Sequence, residues 1–120
     1  MRALVVDDSS AMRALLRMTL RKHGFEVAEA KDGLDALSVL AAPCEFDLIL
    51  IDWNMPQMDG FELLRRIRAE RRHDGAKIMM VTTETGMDQM SEALAAGADD
   101  YIMKPFTFDV VEAKLQLVGL

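Results

Sequence analysis

The stretch Asp47-Leu48-Ile49-Leu50-Ile51-Asp52, continued by Trp53-Asn54-Met55-Pro56-Gln57-Met58-Asp59-Gly60, sets the tightest limit on the fold. A short run of consecutive aliphatic residues suits a strand buried on both faces, the situation of a strand inside a parallel sheet. The run ends in a carboxylate, Asp52, and Pro56, Asp59 and Gly60 then turn the chain. Open α/β sheets bind their ligands in the crevice beyond the carboxyl ends of the strands. Asp52 is therefore expected at such a crevice, and the question becomes which side chains meet it.

The pattern recurs along the chain. Ala3-Leu4-Val5-Val6 is a second aliphatic run and also ends in acid, Asp7-Asp8. Ser9 and Ser10 are both N-cap types, and Met12, Leu15, Leu16, Thr19 and Leu20 then follow the spacing of one helical face. Gly24 closes that helix. Phe25 to Ala30 alternates as a strand nearer a sheet edge would, and Asp32-Gly33 makes a turn. Leu34, Leu37, Leu40 and Ala41 mark a second helix stopped by Pro43. Phe61, Leu64 and Ile67 mark a third, with Gly75 at its end. Lys77 to Val81 is a fourth strand, leading into the hydroxyl-rich Thr82-Thr83-Glu84-Thr85-Gly86. Met87, Met90, Ala93 and Leu94 form a weaker helical stripe ended by Gly97. Asp100 to Lys104 is a fifth strand broken by Pro105, and Thr107 caps a last helix that turns Phe108, Val111, Leu115 and Val118 inward.

Five β-α units with right-handed crossovers predict a doubly wound five-stranded parallel sheet with helices on both faces. The common small version is flavodoxin-like, with strand order 2-1-3-4-5 and five helices. At 120 residues the chain fits a single domain, 1–120. One cysteine, Cys44, cannot form an internal disulfide, and it is expected to act as a small apolar filler in a reducing compartment. No run reaches the roughly 18 apolar residues of a membrane helix, and Met1-Arg2 leads straight into a strand, so a cytoplasmic protein with no membrane insertion is expected. The formal net charge of -6 argues against nucleic acid as the direct partner. Arg13, Arg17, Arg21 and Lys22, and again Arg65, Arg66, Arg68, Arg71 and Arg72, read as the solvated outer faces of two helices.

The order 2-1-3-4-5 makes strands 1 and 3 neighbours at the switch point, so Asp7, Asp8 and Asp52 converge, flanked by Thr82 and Lys104. Carboxylates packed that closely repel one another unless a cation sits between them. All-oxygen ligation points to Mg²⁺ or Mn²⁺, and Mg²⁺ characteristically takes one or two carboxylates, keeps waters and adds a phosphate. Three negative charges against the metal and Lys104 come to about zero, which lets a phosphoryl group approach and Asp52 attack phosphorus. Singly, each residue has a structural explanation: Asp7-Asp8 as an N-cap pair, Lys104 as a surface lysine, Thr82 as a strand end, Asp52-Trp53-Asn54 as a turn. Their common placement at carboxyl ends of strands favours a site.

Asp7-Asp8, Asp52-Trp53-Asn54-Met55-Pro56, Met58-Asp59-Gly60, Thr82, Tyr101 and Lys104-Pro105-Phe106 together strongly resemble the receiver domain of two-component response regulators, in particular its chemotaxis branch. The resemblance spans the whole chain. It implies that Asp52 accepts phosphate from a histidine kinase, with Mg²⁺ held by Asp8, Asp52 and the Asn54 carbonyl, and Asp7 acting mainly through water. It further implies that Thr82 is a switch hydroxyl, that the Tyr101 rotamer follows it, that Lys104 clamps the phosphate, and that the Lys104-Pro105 bond is cis. Asn54, Thr83 and Glu84 would modulate phosphate lifetime, Thr83 standing where a smaller residue is frequent. Output would pass from a monomer to a protein target through the face made by helix 4, strand 5 and helix 5.

Rival readings weaken on the same residues. A phosphatase of the haloacid dehalogenase type needs a second aspartate two residues after the nucleophile, and Asn54 cannot transfer the proton. Flavin binding is opposed by Asp7-Asp8 at the first strand tip. The remaining alternative is a receiver-fold interaction domain that acts without phosphorylation.

Overall fold

The computed structural model describes residues 1–83 and 87–120. Ten elements alternate: β1 (Arg2–Val6), α1 (Ser10–Lys22), β2 (Glu26–Ala30), α2 (Gly33–Ala41), β3 (Leu48–Asp52), α3 (Gly60–Glu70), β4 (Lys77–Thr82), α4 (Met87–Ala95), β5 (Asp100–Met103) and α5 (Phe108–Leu117). The strands form one parallel sheet in the order β2-β1-β3-β4-β5, as expected. No helix among the described residues is long and apolar enough to cross a membrane.

Strand alternation explains why the central strands are continuously apolar. Leu4 and Val6 of β1, Ile49 and Ile51 of β3, and Ile78 and Met80 of β4 join one core with Ala36, Leu40, Leu63, Leu64, Ile67 and Ala93. Ala3, Val5, Leu48, Leu50, Met79 and Val81 face the other way and pack with Leu16, Leu20, Val111 and Leu115. With both faces covered, every residue of β3 is buried. Burying one such leucine or isoleucine stabilises the fold by roughly 1.5–3 kcal/mol.

The helix caps follow local chemistry. Ser9, Asp32, Asp59 and Thr107 each accept a backbone N–H from the first turn of α1, α2, α3 and α5. Gly24, with φ of 86°, follows α1 at the position where a left-handed residue ends a helix. The helix faces depart from the sequence reading. Leu15, Leu34, Leu94 and Phe108 are exposed rather than inward, as is Ala41. In α2 the inward side belongs to Gly33, Ala36 and Leu40, because each helix contacts the sheet along a narrow strip and Leu34 falls to one side of it. Helix α3 ends at Glu70, with Arg71 in the left-handed conformation, not at Gly75. Cys44 is half-buried and accepts from Arg2 Nη1, so it is more than apolar filler. Glu84, Thr85 and Gly86 of the expected loop, and the inward placement of the Met87 side chain, lie outside the described residues.

The arginines are not all solvated. Arg68 donates to the carbonyls of Gly97, His73 and Ala76 and to Asp99, at 2.9–3.1 Å. Arg13 and Arg17 both pair with Glu29 of β2. The long stems carry these guanidiniums back over the rim of the sheet, so a position on the outer helix face does not place the charge in water.

Candidate functional site

Four strands deliver five residues to the carboxyl edge of the sheet, two of them, Asp7 and Asp8, from β1. At the end of β1, the Asp7 N–H donates to Ala30 O at 3.1 Å, carrying the pairing with β2 one residue past the strand. The Asp7 side chain is 1% exposed, and its Oδ1 accepts from Ser9 N at 2.9 Å. Ser9 is also the cap of α1, which locks the turn that carries Asp8. Arg13, one turn into α1, donates to Asp7 O at 2.7 Å. Asp8 faces solvent.

At the end of β3, Asp52 is 5% exposed. The chain beyond it is pinned twice, by Trp53 N donating to Val81 O at 3.0 Å and Gly60 N donating to Trp53 O at 2.8 Å. A Cβ on Gly60 would stand 2.3 Å from Asp52 O, so only glycine lets α3 start against the backbone of Asp52. Asn54, two residues on, is exposed. Trp53 stacks on Phe61, with ring centroids 5.8 Å apart.

Thr82 closes β4 and is buried. Lys104 follows β5, and its N–H donates to Thr82 O at 2.8 Å; its bond to Pro105 is cis, as the resemblance implied. Lys104 Nζ stands 3.1 Å from Asp52 Oδ1 and 3.4 Å from Asp7 Oδ2. Asp7, Asp8 and Asp52 offer oxygens that all lie within 4.8 Å of one another. Burial pushes the Asp52 carboxyl above its ordinary range, and the Asp7 charge adds to that, while Lys104 and the Asn54 N–H act in the opposite direction.

This donor set fits a divalent cation. It is all oxygen, close enough for shared ligation, and short of positive charge by two with Lys104 as its one ammonium partner. The expected set of Asp7, Asp8, Asp52, Asn54, Thr82 and Lys104 is thus gathered at one edge. Thr83 is exposed directly after Thr82, and Glu84 lies outside the described residues. Tyr101 sits half-buried on β5, with Lys114 Nζ 4.3 Å from its ring centroid. The sequence reading overlooked Gly60 and Arg13 as supports. An Asp-Gly pair ahead of an apolar helical run signals a helix start, which could have drawn attention to Gly60, whereas nothing in the sequence ties Arg13 to Asp7.

The sequence model for the response regulator receiver domain matches residues 3–116. The chain is 44% identical over 119 residues to chemotaxis protein CheY1 of Helicobacter pylori, covering 98% of this chain and 96% of that protein. Its structure resembles CheY4 of Vibrio cholerae with a TM-score of 0.90 at 38% identity, over 98% and 97% of the two chains. It also resembles the response regulator TrrA of Thermotoga maritima, solved in complex with Mg(2+)-BeF, with a TM-score of 0.84 at 33% identity over 98% and 97%. Five parallel strands in this order, acids at the first and third strand tips, a lysine after the fifth and a family match along nearly the whole chain lead to one conclusion: the chain belongs to the response regulator receiver domain family.

Proposed function

We propose that the chain is a phosphoacceptor response regulator, one domain over residues 1–120, that takes a phosphoryl group on Asp52 from a histidine kinase with Mg²⁺. The observation that carries this reading is Lys104 Nζ lying between Asp52 and Asp7 in a cluster whose carboxylates outnumber it. Such a cluster accommodates a divalent cation and, once neutralised, an anionic phosphoryl group. Asp8, Asp52 and the Asn54 carbonyl would hold Mg²⁺, with Asp7 acting through water. When bound, the cation neutralises charge at the phosphoryl oxygens.

A carboxylate oxygen of Asp52 forms the bond to phosphorus as the phosphorus–nitrogen bond of the kinase phosphohistidine breaks. The imidazole nitrogen keeps that electron pair and takes a proton from solvent. Lys104 and the Thr82 hydroxyl donate to phosphoryl oxygens. Asn54 and Thr83, exposed beside the site, border the approach of water, and together with Glu84 they set the lifetime of the acyl phosphate. The protein supports its own phosphorylation and dephosphorylation and turns over no other substrate. Thr82 and Tyr101 relay the state to the α4-β5-α5 face, where a downstream protein binds. Similarity to the Helicobacter and Vibrio chemotaxis proteins supports chemotaxis as the pathway, and the Thermotoga complex with Mg(2+)-BeF supports the cation and the phosphoryl pocket. The reading places the protein in the cytoplasm as a monomer.

Trp53 is the single tryptophan and adjoins Asp52, so its fluorescence reports the site. It changes on adding Mg²⁺ and again on adding beryllofluoride, and Asp52→Ala abolishes the second change. For a dissociation constant of about 1 mM, ~10 mM Mg²⁺ adds roughly 1.4 kcal/mol of stability. A silent wild-type protein replaces this reading with an interaction domain independent of phosphorylation, and a full beryllofluoride response in Asp52→Ala moves the acceptor away from Asp52.

A further inference from the structure

Helix α3 and the turn from α4 to β5 enclose a groove of about 610 Å³, lined by Glu62, Arg65, Arg66, Arg68, Ala69 and Ala96. Three guanidiniums face one carboxylate there, in a chain whose net charge is -6. The three arginines are not equivalent. Arg68 is consumed by three carbonyls and Asp99, and its side chain is 17% exposed. Arg66 is 52% exposed and holds only the exposed Glu62, a helical pair that solvent screens to a weak contact. Arg65 has no carboxylate within ion-pair distance among the described residues. Its guanidinium lies 5.9 Å from the centroid of the Phe61 ring, which holds the side chain by cation–π contact while leaving its N–H donors to solvent.

We propose that this groove is a docking surface for an acidic segment of a partner protein, with Arg65 and Arg66 as the cationic contacts. A planar guanidinium matches a carboxylate bidentately, and Arg65 is already ordered on Phe61, so less side-chain freedom is lost on binding. Ala69 and Ala96 are too small to fill the space between the charged residues. Glu62 offers an acceptor for a peptide N–H. Two available guanidiniums suit a short run of carboxylates and fall short of the dense cation stripe that a nucleic-acid backbone needs. The groove also touches the phosphoacceptor region, since Phe61 beneath Arg65 stacks on Trp53, the neighbour of Asp52. Binding uses no group on Asp52 and is independent of phosphorylation.

The test titrates the whole chain into fluorescein-labelled octaglutamate and follows anisotropy at low and high salt. Wild type binds saturably, with a dissociation constant on the order of 100 µM or tighter at low salt, weakening as salt rises. Arg65→Glu/Arg66→Glu weakens binding by at least ~10-fold, while Arg71→Glu/Arg72→Glu, an equal charge change outside the groove, stays within about twofold. Arg65→Gln/Arg66→Gln, which avoids placing new acid beside Glu62, also weakens binding and serves if the reversed variant misfolds. Asp52→Asn binds as wild type does, which separates this proposal from the phosphoacceptor reading. Equal weakening by both charge-reversed pairs, absence of saturation, or equally tight binding of a labelled DNA octamer overturns it.

Discussion

The two edges of the sheet each hold a cluster of partly buried charges, and the clusters are built to opposite ends. At the amino edge, Arg68 spreads its N–H groups over three carbonyls and Asp99, and Asp99 also accepts from Ile78 N at 2.9 Å. The donors and acceptors there are matched, so the network fixes the entry of β4 and β5 and has nothing left to offer a ligand. At the carboxyl edge, one ammonium is shared by Asp52 and Asp7, with Asp8 close by. That cluster keeps surplus negative charge, and burial raises the affinity of Asp52 for a proton. A satisfied buried network stabilises, whereas an unbalanced one holds free energy that a cation or phosphoryl group can release.

The largest effect expected from this contrast is at Arg68. Arg68→Ala takes a donor from three carbonyls and from Asp99, of which His73 O keeps Ala76 N and Asp99 keeps Ile78 N, and should cost about 2–3 kcal/mol in urea unfolding. Arg68→Lys recovers little of it, because an ammonium cannot span the four acceptors. A loss below ~1 kcal/mol for the alanine variant would mean that water serves these acceptors equally well.

Substitution at the carboxyl edge should go the other way. Asp52→Asn in metal-free protein at pH 7 should stabilise the fold by about 1 kcal/mol, as relief of a strained functional site commonly does. The pH dependence has a definite sign. A carboxyl whose folded pKa is raised is penalised in the native state at pH above that value, and the penalty is relieved as pH falls through it. The advantage of Asp52→Asn should therefore shrink as pH drops toward the ordinary carboxylate range. An advantage that grew on acidification would place the strain elsewhere. The smallest effect belongs to a position in neither cluster: Leu34 is 59% exposed, and Leu34→Gln should stay within about 0.5 kcal/mol by thermal unfolding. A larger loss would restore the inward orientation that its spacing suggested.

Much of the sheet and site was legible because the signals are local. An aliphatic run too short for a helix and bounded by turn residues has few other structures available, which fixed β1, β3 and β4, and with alternation at β2 and the Pro105 break after β5 all five strands were placed to within a residue at either end. Acids directly after β1 and at the end of β3 come together once those strands pair, so Asp7, Asp8 and Asp52 were readable as neighbours from strand order alone. Helix orientation was harder. Leu15, Leu34, Leu94 and Phe108 fit an apolar stripe by spacing, yet the strip of helix that meets the sheet is narrower than the stripe.

The sequence by itself determined the alternation of elements and the caps at Ser9 and Thr107, since these depend on residues adjacent in the chain, and strand order then gathered the acids, hydroxyl and lysine at one edge, whereas Asp32 and Asp59, read as turn residues, proved to be caps. Only the tertiary structure decided that Asp7 is buried and Asp8 exposed, that Lys104 bridges Asp7 and Asp52, that Gly60 must lack a side chain because Asp52 O stands there, and that Arg68 turns inward while Arg65 is left to the groove. The reason is physical. Each of these outcomes depends on an atom supplied by a distant segment or on how a long side chain lies over the packed surface, and neither is encoded in the periodicity of the residues around it.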